Sequence, residues 1–201
     1  MMSKLDLINI VDEEVRNCRK CRLSKTRKNA VPGEGNPDSN VIFVGEGPGH
    51  WEDVKGRPFV GAAGKLLDEM LLKADLSRGQ VYITNIVKCR PPGNRDPRPD
   101  EAEVCTPYLD RQLEIIKPKF IVTLGRHSTF HILSKLGYET SGITRVRGKT
   151  FEASLWGSKV HIIPTFHPAA ALYDVKLKDY LAKDFQLLKK ELERSQSLEK
   201  L

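Results

Sequence analysis

The chain has 201 residues, with 33 Lys and Arg against 26 Asp and Glu, a formal net charge of +7, and 39% hydrophobic residues. That composition excludes intrinsic disorder, and no apolar stretch approaches the ~18 residues a membrane helix needs. Residues 1–201 are expected to form one domain, because a domain of roughly 150 residues already buries about two thirds of its unfolded surface. The excess of Lys and Arg favours a polyanionic partner, since clustered cations displace counterions condensed on phosphates. A generally basic surface is the competing reading, and the loop Arg90-Pro-Pro-Gly-Asn-Arg95-Asp-Pro-Arg98 tips the balance toward nucleic acid. Met1 to Lys20 lacks the apolar core of a signal peptide, so a cytoplasmic protein is expected.

In chain order, Leu5, Ile8, Val11 and Val15 recur at helical spacing after Ser3, an N-cap residue type. Val41 to Val44 is a continuous apolar run of the kind parallel sheets bury on both faces, and Leu66, Leu67, Met70, Leu71 and Ala74 predict a helix behind it. Val81 to Val87 predicts a second strand, followed by a proline-rich loop and a helix capped by Asp100. Phe120 to Gly125 predicts a third strand, with a helix over Ser128 to Leu136. Lys149 to Trp156 and Lys159 to Phe166 predict a hairpin joined at Gly157-Ser158, and Lys176 to Leu192 a charged amphipathic helix. Three βα units and a final strand imply an α/β fold with a mostly parallel, four-stranded, helix-flanked sheet. Ligands in such folds sit beyond the carboxyl ends of strands. The Gly45 loop, the segment from Asn85 and the His167 segment all lie at such ends.

The stretch from Gly45 to Gly64 holds six glycines and two prolines around Glu46, Glu52, Asp53 and Phe59. Glycine is entropically costly, so this density at a strand mouth points to a ligand held by backbone amides and a few side chains. Gly61-Ala-Ala-Gly64-Lys65-Leu66 lacks the spacing and the Ser or Thr of a phosphate loop, and Gly45-Glu-Gly-Pro-Gly49 departs from the dinucleotide fingerprint.

Cys18-x-x-Cys21, Cys89 and Cys105 are the four cysteines. In a compartment that keeps thiols reduced they read as a metal site, and one short knuckle with two dispersed cysteines suits a [4Fe-4S] cluster better than structural zinc. The competing reading makes Cys89 and Cys105 buried apolar residues and the knuckle incidental.

Gly45-Glu46-Gly47-Pro48-Gly49, Glu52-Asp53, Gly56 to Gly61, Asn85, His167-Pro168-Ala169-Ala170 and the order and spacing of the four cysteines together resemble the family 4 uracil-DNA glycosylases, over about residues 15 to 185. The resemblance implies a three-layer α/β/α sandwich, a [4Fe-4S] cluster on Cys18, Cys21, Cys89 and Cys105, and a monofunctional enzyme. Such an enzyme flips uracil out of DNA and hydrolyses its N-glycosidic bond, leaving free uracil and an abasic site.

Glycosidic cleavage builds negative charge on the leaving base, which calls for donors near uracil O2. His167 is expected to donate there, assisted by the backbone at Gly47. Asn85 is expected to read uracil N3–H and O4, and Phe59 to stack beneath the flipped base. By resemblance Glu46 handles the water and the cationic sugar, with Gly45 beside it, Glu52 guards the uracil 5-position, and Leu172 wedges into the DNA. Gly47 stands where the best-known uracil-DNA glycosylase family has an aspartate. Simpler roles compete for each residue: a backbone-satisfied His167, a turn-forming Asn85, a core Phe59, and Glu46 and Glu52 as helix caps or cation ligands. The chain is expected to act as a monomer, with a sliding clamp as a candidate partner. The rival functions are a non-catalytic, metal-containing DNA-binding module and a nucleotide hydrolase holding magnesium on Glu46, Glu52 and Asp53.

Overall fold

The computed structural model describes residues 2–198. Helix α1 (Lys4–Asn17) opens with a capping box, in which Ser3 Oγ accepts the Asp6 N–H at 3.1 Å and the Asp6 carboxylate accepts the Ser3 N–H at 2.9 Å. A 3₁₀ turn (Arg22–Lys25) and a two-residue strand β1 (Glu34–Gly35) lead into β2 (Val41–Gly45). Next come a short helix α2 (His50–Lys55), α3 (Ala62–Lys73), β3 (Tyr82–Asn85) and α4 (Pro99–Ile116). Strand β4 (Phe120–Leu124) is followed by α5 (Arg126–Lys135) and the short α6 (Ile143–Val146). The chain then runs through β5 (Phe151–Leu155), β6 (Ser158–Thr165), α7 (Pro168–Ala171) and α8 (Val175–Leu198).

The sheet order is β1-β3-β2-β4-β6-β5. Its four central strands are parallel, as the sequence predicts, while β1 and β5 add antiparallel edges. A two-residue strand leaves no periodicity to read, which is why β1 has no sequence signature. The hairpin turns at Trp156 (φ 53°) and Gly157 (φ 75°), one residue earlier than expected, because a two-residue turn matching the strand twist needs positive φ at both positions. Helix α4 begins at Pro99 rather than after an Asp100 cap. Proline's fixed φ suits the first helical position, and Glu101 reaches back to accept the Arg98 N–H at 2.8 Å.

Alternate residues of each strand face opposite layers. Ile42, Val44, Ile121 and Ile162 pack with α1, α4 and α5, whereas Val41, Phe43, Val122 and Ile163 pack with α3 and α8. The result is a three-layer α/β/α sandwich. Strand β2 has β3 on one side and β4 on the other, so the connections leaving its end diverge and open a crevice at its carboxyl end.

Candidate active site

A cavity of about 300 Å³ occupies that crevice, and Glu46, Gly47, Glu52, Phe59, Asn85 and His167 all line it. Gly45 lies just beneath: a Cβ there would stand 2.3 Å from Asn85 Oδ1 and 2.8 Å from Phe59 Cζ. Leu172 follows α7 outside the cavity, half-buried against the α3–α8 core, beside Tyr173, which is 94% exposed.

Asn85 closes β3 in register with Gly45 of β2. Its side chain is buried and its Oδ1 has no hydrogen-bond partner, although burying an unpaired carbonyl costs about 1–3 kcal/mol. Such an acceptor, lining a cavity, is set up for a donor from a ligand.

His167 caps α7. Its Nδ1 accepts the Ala169 N–H at 3.1 Å, so the proton of the neutral ring resides on Nε2. Burial pushes the imidazole down to about 4, against a small opposing pull from the Glu52 carboxylate, and the ring is neutral at pH 7. Gly125 (φ 94°) leaves room for it, since a Cβ there would lie 2.9 Å from His167 Cβ.

Phe59 is both a core residue and a wall of the cavity, with its ring 5.6 Å from that of His167 and near-parallel to it. Its backbone is left-handed (φ 51°), which costs a non-glycine residue of order 1 kcal/mol or more. The surroundings hold it there: Arg78 donates to the carbonyls of Phe59 (3.0 Å) and Pro58 (2.7 Å).

Glu52 lines the cavity and also has a structural task. Its Oε1 accepts the N–H groups of Val60 (2.8 Å) and Gly61 (2.9 Å), which places a carboxylate at the start of α3. Asp53 turns away, accepting the N–H of Lys28 at 2.8 Å, so the three-carboxylate magnesium site of the nucleotide-hydrolase reading does not form.

Glu46 is half-buried. Burial raises its carboxyl above the ordinary value; His127 pulls it back, Asp96 pushes it up and Arg126 lowers it. A Cβ on Gly47 would stand 2.6 Å from Val87 Cγ2, so a side chain here requires Val87 to shift. The missing carboxylate at this position therefore has a steric cause.

Pro91, Asn94 and Arg95 complete one rim. Arg95 pairs through both nitrogens with the fully buried Glu101 (2.8 and 2.7 Å), which pins the basic loop to α4. The arginines of this loop pointed toward nucleic acid in the sequence, with no sign that the loop also forms part of the cavity wall. Sequence reasoning missed His127, although the strand-end rule applied to β4 leads directly to it.

The four cysteines are free thiols, Cys18 and Cys21 half-buried and Cys89 and Cys105 buried. They come from the end of α1, the following turn, the segment after β3 and the middle of α4. Two carry N–H···S contacts, from Arg27 Nη1 to Cys89 (3.0 Å) and from the Lys88 N–H to Cys105 (3.2 Å). Burial pushes the Cys105 thiol up to about 11, with Lys88 opposing and the Cys89 and Cys21 sulfurs close enough to add to the rise. Four thiols near enough to influence one another, two of them supplied with N–H donors, suit a thiolate-ligated metal group. No helix among the described residues is long and apolar enough to cross a membrane.

The family model described as the uracil DNA glycosylase superfamily matches residues 32–189. A type-4 uracil-DNA glycosylase of Sulfurisphaera tokodaii is 54% identical over 186 residues, covering 92% of this chain and 84% of that protein. Type-4 uracil-DNA glycosylases of Saccharolobus solfataricus and Archaeoglobus fulgidus are each 50% identical, covering 94% and 90% of this chain and 88% and 92% of their own.

Proposed function

This chain belongs to the uracil-DNA glycosylase superfamily, and from that premise we propose that its cavity receives a uracil flipped out of DNA and that the protein hydrolyses the bond from uracil N1 to deoxyribose C1′. One observation carries the reading: the buried, unpartnered Asn85 Oδ1 that lines the cavity. It accepts the N3–H of uracil while the amide NH₂ donates to O4, and cytosine presents the reverse pattern. A site built on buried hydrogen bonds rejects a mismatched edge because its own polar groups are left unpaired.

Phe59 stacks under the ring, a contact worth about 1–3 kcal/mol. As the glycosidic bond breaks, its electron pair goes to uracil, and His167 Nε2–H donates to the charge growing on O2; one preorganised donor is worth roughly 100- to 1000-fold. A neutral imidazole suits this task, since the base leaves as an anion and needs no proton. Water forms the new bond to C1′ and gives its proton to Glu46, whose raised pKa strengthens it as a base. Glu52 guards the 5-position, and Gly45 and Gly47 let the backbone approach the base. No lysine among the described residues lines the cavity, which supports simple hydrolysis to free uracil and an abasic site. Leu172, anchored by its partial burial, fills the gap left in the duplex.

Cys18, Cys21, Cys89 and Cys105 would hold a [4Fe-4S] cluster, which when bound supplies a structural clip joining α1, α4 and the segment after Asn85. Four thiols without a disulfide favour a reducing, cytoplasmic setting. We read the chain as a single-domain enzyme acting as a monomer; light scattering tests that, and co-purification tests a sliding-clamp partner.

The deciding experiment incubates the protein with a uracil-containing oligonucleotide in EDTA and then applies hot alkali. Strand breaks at uracil are expected. Their absence, with DNA binding retained, would leave the metal-containing DNA-binding module. Iron analysis and a brown absorption near ~400 nm identify the cluster.

A further inference from the structure

Glu46 is flanked by two residues that the reaction above does not use. His127 Nε2, at the start of α5, lies 3.7 Å from Glu46 Oε2 and 3.3 Å from Asp96 Oδ2, and the three groups offer atoms within 4.8 Å of one another. That nitrogen is buried and makes no hydrogen bond in the ligand-free chain. Asp96 is itself held by Arg126 Nη2. A bare lone pair facing two carboxylates would be repelled by both, so Nε2 is the protonated nitrogen.

Resting on the reading of Glu46 as the residue that handles the water, we propose that His127 is a positioning residue for Glu46, and that Asp96 supplies the second carboxylate that position 47 does not carry. Across 3.7 Å the His127 Nε2–H attracts Glu46 Oε2 without a hydrogen bond in the ligand-free chain, which orients the carboxylate and leaves Oε1 for the water. The water O–H proton passes to Glu46, the oxygen bonds to C1′, and the C1′–N1 electron pair leaves with uracil, so atoms and charge balance without a further reactant. Asp96, attached to Arg126, keeps the imidazole between the two acids. The charged and titratable groups around Glu46 are His127 and Arg126 of α5, Arg95 and Asp96 of the loop after β3, Glu52 of α2, and His167. Of these, His127 favours ionised Glu46 and Asp96 opposes it.

The two neighbours therefore move the acid limb of the rate profile in opposite directions, which loss of packing alone would not do. Single-turnover uracil excision against pH is measured for the wild type, His127→Ala, His127→Gln, Asp96→Asn and Glu46→Gln. His127→Ala is expected to slow excision about ten- to hundredfold at neutral pH and to move the acid limb upward, with His127→Gln recovering part of the rate through its amide donor. Asp96→Asn should move the limb downward. In a Glu46→Gln background, His127→Ala should add little. Unmoved limbs in both variants, or an equal slowing by His127→Ala with and without Glu46, would overturn the proposal. If His127→Ala does not fold, the limb of Asp96→Asn, altered on an exposed side chain, decides. Full activity in Glu46→Gln would instead remove the underlying reading of Glu46.

Discussion

The Lys88 ammonium donates to the backbone carbonyl of Asn85 at 2.8 Å, from a position with no solvent access. The same nitrogen bonds Thr84 Oγ1 (2.6 Å) and Gln112 Oε1 (2.7 Å), and Gln112 Nε2 donates to the carbonyl of Pro32. The end of β3 is thereby tied to α4 and to the segment before β1, and the Asn85 side chain, proposed to read the base, inherits that rigidity. Lys88→Met would take the ammonium from three buried acceptors; Thr84 Oγ1 and Gln112 Oε1 still bond each other, so the cost, about 1–3 kcal/mol, falls mainly on the lost donation to the Asn85 carbonyl. A fall in melting temperature of several degrees or more is expected, with a reduced preference for uracil over cytosine in competition assays. Unchanged melting and selectivity would show that Asn85 is held by other means.

His167→Ala should slow single-turnover excision roughly 100- to 1000-fold while leaving DNA affinity nearly unchanged, because the lost hydrogen bond strengthens only as charge develops on O2. Near-normal rates would remove His167 from the mechanism.

The same residue makes a pH prediction for stability. Its folded-state value, about 4, lies below the ordinary 6.5, so the imidazole contributes stability that is present above 6.5 and is lost as pH falls toward 4. The full effect is of order 3 kcal/mol, since one unit corresponds to about 1.4 kcal/mol. Melting temperatures across this window should fall more steeply for the wild type than for His167→Ala; parallel curves would contradict the neutral ring.

Gly47→Ala should cost about 1–3 kcal/mol and lower activity, because its Cβ would overlap Val87 Cγ2. Adding Val87→Ala removes the obstructing methyl and should restore much of the loss. If the pair is no better than Gly47→Ala alone, the steric account of position 47 fails.

Cys105→Ser should lower bound iron and melting temperature together. Cys105 sits in α4 beside the Lys88 N–H, so loosening it should also weaken uracil excision through the segment from Asn85 to Cys89. Loss of iron with an unchanged excision rate would separate the cysteine site from the pocket.

The sheet was legible because Val41 to Val44 and Phe120 to Leu124 are apolar on both faces, as buried parallel strands require. Asn85 and His167 could be placed together because each ends a parallel strand. What stayed hidden depends on contacts distant in sequence. Glu52 shows no sign of its hydrogen bonds to Val60 and Gly61, since nothing local announces that α2 folds back onto the start of α3. Arg95 looks like any surface cation until Glu101 is seen buried beneath it. His127 stands just past the end of β4, as Asn85 stands at the end of β3, but its neighbour Glu46 lies 81 positions earlier in the chain, and only the β2–β4 pairing joins them.

Gly64 sets one further limit. A Cβ on it would fall 1.9 Å from the carbonyl oxygen of Phe59, so the first turn of α3 and the backbone beneath the stacking ring meet without intervening side chains. The backbone of Phe59, a residue of the cavity wall, is thus placed by a main-chain contact: trimming its ring would empty the wall without moving that backbone, whereas any side chain at position 64 would displace it.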